Sequence, residues 1–147
     1  MKRTGLIALG ALFVGGSLIV ILCAWFIKFR ISEKVMFETN EVGRVLVLFV
    51  QDFGKMPRNM DELFAKGYLV KKVDAVIVAG PKTKNRFVEG TVSFEGVHLQ
   101  FLDKIKIQFD ARSGHGNVIT VPADFPGAAR WAKFYSEIIE DSLARRH

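Results

Sequence analysis

The chain has 147 residues, half of them hydrophobic, with 21 Lys and Arg against 15 Asp and Glu and a formal charge of +6. That length suits one domain and a tail, long enough to bury a core without covalent staples. The single cysteine excludes an intrachain disulfide, and the basic residues are too dispersed, and too little interleaved with aromatics, for a nucleic-acid stacking platform.

Gly5 to Ile27 contains no charged side chain. Its 23 residues would span roughly 34 Å as a helix, enough for a hydrocarbon core of about 30 Å. Lys2 and Arg3 precede it, Lys28 and Arg30 follow it, and Trp25 lies near its distal end, where indole favours the membrane interface. The stretch reads as one uncleaved transmembrane anchor. A cleaved signal peptide or a lipoprotein is the alternative, but no Ala-x-Ala follows the apolar run and the bulky Leu22 precedes Cys23. Ala8, Ala11 and Gly15 fall on one helix face, a small-residue stripe of the kind that lets membrane helices approach closely. Self-association, or docking on another membrane protein subunit, is the expectation from it.

Charge near the two ends of the span is balanced. A short Lys-Arg tail before a long apolar run reads as a signal anchor, with the amino terminus cytoplasmic and the rest extracytoplasmic, on the periplasmic side. The expected division is therefore 1–30, tail and anchor, and 31–147, an extracytoplasmic α+β domain. Lys2 and Arg3 carry two of the six excess positive charges. The remaining bias suits anionic headgroups or an acidic partner.

Beyond Arg30 the helical period continues. Val35, Val42, Leu46, Phe49 and Phe53 form an apolar stripe, widened by Val45 and Leu48, while Glu33, Lys34, Glu38, Glu41, Arg44 and Gln51 fill most other positions. This predicts an amphipathic helix with one face on a domain and one in water. No proline interrupts residues 5–53, so anchor and amphipathic segment read as one rod of about 49 residues and roughly 74 Å. Gly54 is placed to end it. Pro57 then forces a turn. Asn59 is an N-cap, with Asp61 and Glu62 in the first turn of a short helix, Met60, Leu63 and Phe64 on its apolar face, and Gly67 closing it.

A membrane-spanning helix, an amphipathic continuation, and then Gly54-x-x-Pro57-x-x-x-x-Glu62-Leu63-x-x-x-Gly67-Tyr68-Leu69 resembles the type IV pilins and the pseudopilins of type II secretion. The resemblance covers residues 5–69 and implies a long helix packed on a small antiparallel sheet. It also implies a non-enzymatic role as a subunit or assembly partner of a secretion or fibre complex. The chain departs from the family's processing signals: no Gly-aromatic peptidase site is present, and no acidic residue precedes Glu33. The resemblance extends to the arrangement of parts and not to processing.

After Val70 the period shortens. Val73–Ala79 predicts a buried strand, 80–85 a turn-rich loop, Phe87–Phe94 a strand with a break at Gly90, and Glu95-Gly96 a hairpin turn. Between Val97 and Asp110, Phe101, Ile105, Ile107 and Phe109 alternate with Lys104, Lys106 and Gln108, which predicts a half-buried strand. Asp103 falls on its apolar face and is expected to bulge back to solvent. Residues 111–116 read as a loop and Asn117–Val121 as another strand, completing an antiparallel meander of three or four strands. Asp124 is placed to cap a closing helix with Pro126 in its first turn. Ala128, Trp131, Phe134, Tyr135, Ile138 and Ile139 form that helix's apolar face.

Chemistry is sparse in this chain. His98, His115 and His147 have no partner at metal-ligand spacing. Ser113 and His115, two apart in a loop, are poorly spaced for a nucleophile and base. No phosphate-cradling glycine motif occurs. No cofactor, small-molecule substrate or enzymatic role is expected. Lys71, Lys72, Lys82, Lys84 and Arg86 form a basic stretch. It supports the alternative of a membrane-tethered domain contacting anionic lipid or an acidic protein through residues 71–86.

Overall fold

The computed structural model describes residues 2–72, 75–78, 83, 86, 88, 98–110 and 116–145, with α1 side chains described from Gly15 onward. The architecture is α+β. Helix α1 spans Lys2–Phe53, and the chain divides into two compact units between Glu33 and Lys34. That boundary lies three residues beyond the expected one at 31.

In the first unit, the helix from Gly15 to Phe29 is exposed all round. Leu18, Ile19, Val20, Ile21 and Leu22 are each more than half exposed, as are Trp25, Phe26 and Ile27.

The second unit, the head, is built around the last five turns of α1. Gly54 ends the helix with a positive φ of 71° and donates its N–H to the Val50 carbonyl at 2.8 Å, as its placement predicted. Helix α2, Met60–Ala65, begins at Asn59, whose Oδ1 accepts from the Glu62 N–H at 3.0 Å. Glu62 reaches back to accept the Arg58 N–H at 2.7 Å. With only six residues in α2, propensity cannot sustain it and the cap matters. Asn59→Ala is expected to lower head stability by about 1 kcal/mol, read as a shifted urea midpoint with an unchanged slope. Gly67, φ 75°, closes α2 and returns Tyr68 and Leu69 to the core, where both are buried.

Strands β1 (Val70–Lys72), β2 (Ala75–Ile77) and β3 (His98–Leu99) form an antiparallel sheet in that order. Strands β4 (Lys106–Ile107) and β5 (Ile119–Thr120) form a second antiparallel pair, with Ile107 opposite Ile119. Helix α3 spans Pro126–Ala144 and buries Ala128, Ala132, Tyr135, Ser136, Ile139 and Leu143. Trp131, Phe134 and Ile138 pack beside them, half-buried.

Three expectations need correction. First, α1 is not half wet in the head. Every residue from Glu38 to Val50 is buried, because sheet, loops and α3 cover the helix on all sides. The polar positions Glu38, Glu41 and Arg44 are inside and cannot be a contact surface. Second, the alternation from Val97 to Asp110 is not one strand. A 3-10 turn at Leu102–Lys104 divides it into β3 and β4, with the Lys104 N–H donating to the Phe101 carbonyl at 2.9 Å. Asp103 does face solvent there, ion-paired to Lys104 at 2.8 Å. Third, Asp124 does not cap α3. Phe125 is the N-cap residue without a side-chain bond, and Pro126 supplies the preset φ of the first turn. Of the predicted strand at 87–94 only Val88 is described, and it is buried; the turn at 95–96 and most of the loop at 111–116 lie outside the described residues.

Candidate functional site

From Leu18 to Phe29 the first unit presents a run of exposed aliphatic and aromatic side chains. Trp25 and Phe29 stack one turn apart, ring centroids 5.8 Å. Arg30 lies immediately beyond, 63 % exposed and 3.4 Å from Glu33. Soluble surfaces rarely carry a continuous apolar patch of this extent. Among the described residues, one helix is long and apolar enough to cross a membrane, and it lies near the N-terminus. Gly15 has open space where a side chain would stand. Ala8 and Ala11 belong to α1, in the part whose side chains are not described.

Inside the head the polar face of α1 is occupied by its own neighbours. The Arg44 guanidinium donates to Glu41 Oε2 from Nη2 at 2.8 Å and from Nε at 3.3 Å. Its Nη1 donates to the carbonyls of Thr83 at 3.2 Å and Arg86 at 3.3 Å. Asn40 Nδ2 donates to Glu41 Oε1 at 3.3 Å, and Tyr135 on α3 donates to Asn40 Oδ1 at 2.8 Å. Asn40 thus ties α1 to α3, and Arg44, paired with Glu41, ties it to the two carbonyls of the segment around 83–86. A buried charge is tolerated only with such partners. Glu38 acts locally: its carboxylate accepts the N–H groups of Gln100 and Phe101 at 2.8 and 2.7 Å. Burial pushes its pKa up against those two bonds.

At the end of α1, Asp52 receives Arg86 bidentately, Nη1 to Oδ2 at 2.7 Å and Nη2 to Oδ1 at 2.9 Å, and also accepts the Tyr68 hydroxyl. Burial, then the Asp52 bond and charge, push the Tyr68 phenol up to about 12. The folded head therefore keeps this proton above pH 10, where the unfolded chain releases it. The stabilisation is whole below the ordinary phenol pKa and is lost as pH rises towards about 12. In a Tyr135→Phe background Tyr68 is the one remaining phenol of the two in the chain. Its phenolate absorbance is expected to stay flat past pH 10 and to rise only as pH approaches about 12 or the head unfolds.

Of the basic stretch proposed from sequence, Lys71, Lys72 and Arg86 are described. Lys71 and Lys72 are exposed on β1, at the open edge of the three-stranded sheet. Arg86 is instead committed to Asp52, which also raises its pKa. Lys82 and Lys84 lie outside the described residues, as do His115 and His147; His98 is exposed on β3. No group of three His, Cys, Asp or Glu side chains among the described residues is placed to hold a metal ion.

Two open clefts mark the head's surface. One, of about 470 Å³, lies among Gln51, Val88, Phe134, Ile138, Asp141 and Arg145. The other, of about 610 Å³, lies along β4 and β5 and includes Arg58. Ser142 also lines the first, beside Asp141, and its hydroxyl donates to the Ile138 carbonyl at 2.7 Å. The sequence reading missed the Asn40-Glu41-Arg44 network. The signal for it was present: Glu41 and Arg44 are at helical i,i+3 spacing, one just before and one within the apolar run Val42 to Val50. Compared with known proteins, the chain matches no family model, no curated protein and no solved structure.

Proposed function

We propose that this protein is a single-pass membrane protein whose head is a non-enzymatic subunit or assembly partner of an envelope complex, pilin-like in its arrangement of parts. The amino terminus is cytoplasmic and the head is on the periplasmic side. The observation that carries this reading is the contrast along α1. Apolar side chains from Leu18 to Phe29 are open, while Glu38 to Val50 are enclosed by the head. A helix exposed in this way needs lipid or a partner helix around it. Because the head encloses its own part of α1, partners meet the span and the outer surface of the head.

The test uses the full chain in its native membrane. It should resist alkaline carbonate extraction, and a photo-crosslinker at Ile21 should give discrete adducts with itself or with another membrane protein. A reporter fused after His147 should be active only outside the cytoplasm. Release by carbonate defeats the membrane reading. Monomer alone after crosslinking, from Ile21 and from exposed head position Lys133 alike, defeats the assembly reading. Gly15→Leu should reduce the Ile21 adducts if the small-residue stripe is the contact.

A further inference from the structure

We infer that the cleft along β4 and β5 binds a small zwitterionic phosphate ester, with the phosphate on Arg58 and Lys106 and a cationic end on Asp110. The inference is independent of the role proposed for the chain. The cleft is about 610 Å³ and open to water, and Gln108, Phe109 and Asn117 line it beside the three charged residues. Its volume lies within the range of small-molecule sites.

Oppositely charged neighbours elsewhere in the head close on one another. Asp52 closes on Arg86 at 2.7 Å, and Asp103 closes on Lys104 at 2.8 Å. Arg58, Lys106 and Asp110 share one cleft, yet among the described residues no ion pair or hydrogen bond engages their side chains. Main-chain bonds hold the backbone at Lys106 and Arg58. Lys106 is held opposite Thr120 in the β4–β5 ladder, and the Gln108 N–H donates to the Val118 carbonyl at 2.9 Å. Arg58 follows Pro57, and its own N–H is tied to Glu62 at 2.7 Å. Two cations and one carboxylate thus line one open cleft.

That arrangement selects its ligand by charge. A guanidinium and an ammonium together favour a phosphate. A bare phosphate would also meet the repulsion of Asp110, whereas an ester carrying an ammonium group turns that repulsion into attraction. Asn117 and Gln108 offer amides to ester oxygens or to the ammonium. Phe109 supplies an apolar wall for the carbon linker.

Phosphoethanolamine is the probe, titrated into the full chain in a nonionic detergent and followed by phosphorus NMR or calorimetry. Saturable binding is expected, at least ten-fold weaker in the Arg58→Ala/Lys106→Ala variant. Asp110→Asn should weaken phosphoethanolamine and leave inorganic phosphate unchanged or tighter, a crossover that misfolding cannot produce. Circular dichroism checks that each variant keeps its fold. No saturable binding, equal affinity for inorganic phosphate, or indifference to Asp110→Asn overturns the assignment. In nanodiscs, loss of binding when phosphatidylethanolamine is included identifies a lipid headgroup as the source. Unchanged binding identifies a soluble ester, and either result retains the site.

Discussion

Arg44→Met is expected to remove about 3–5 kcal/mol from the stability of the head, the cost of breaking a buried ion pair from one side. Both side chains are inside, 1 % exposed for Arg44 and 0 % for Glu41. Methionine fills much of the space but withdraws the cation from Glu41 and two donors from the carbonyls of Thr83 and Arg86. The carboxylate is then left in a medium that solvates it poorly. The measurement is urea unfolding of the detergent-solubilised chain, followed through Trp131 fluorescence in a Trp25→Phe background. Glu41→Gln/Arg44→Met supplies the control. Glutamine keeps an acceptor for Asn40 and removes the charge, so the double variant should be more stable than Arg44→Met alone. If the two losses simply add, the pair is not what holds the site together.

Gly43→Ala should destabilise the head by about 2 kcal/mol, although the same change in an open helix stabilises by about 1 kcal/mol. A Cβ at Gly43 would fall against the ring of Tyr135. That ring cannot retreat freely. Its hydroxyl is held by Asn40, and Trp131 and Phe134 flank it with centroids at 5.9 and 5.2 Å. Glycine here is thus required by the approach of α3, not by backbone conformation. The sign of the effect decides the matter: a stabilised variant would mean that α3 does not lie against this face. Tyr135→Leu should relieve the clash, making Gly43→Ala less harmful in that background than in the parent chain.

Much of the course of the chain was legible from local chemistry. Asn59 before Met60, Gly54 and Gly67 after their helices, and Pro126 at the start of α3 act through their own backbones and nearest neighbours. They work the same way wherever the chain is placed. The long apolar helix was legible because an uncharged run of that length reads plainly as one helix. The β region was read less well. Its strands are two or three residues long, shorter than the period needs in order to declare itself, so alternation from Phe101 to Phe109 looked continuous where the chain turns at Leu102–Lys104.

What the sequence by itself determined is a helix apolar enough for a membrane, the caps and stops that follow it, and an α+β head. Only the tertiary structure decided that the polar stripe of α1 is internal. A charged residue on a helix is written the same way whether it meets water or a partner brought from far along the chain. Arg44 is enclosed because carbonyls 39 and 42 positions away, with Tyr135 at 95 positions from Asn40, come to meet that stripe. The free energy that favours burial there comes from pairing, and pairing between distant residues has no period in the sequence.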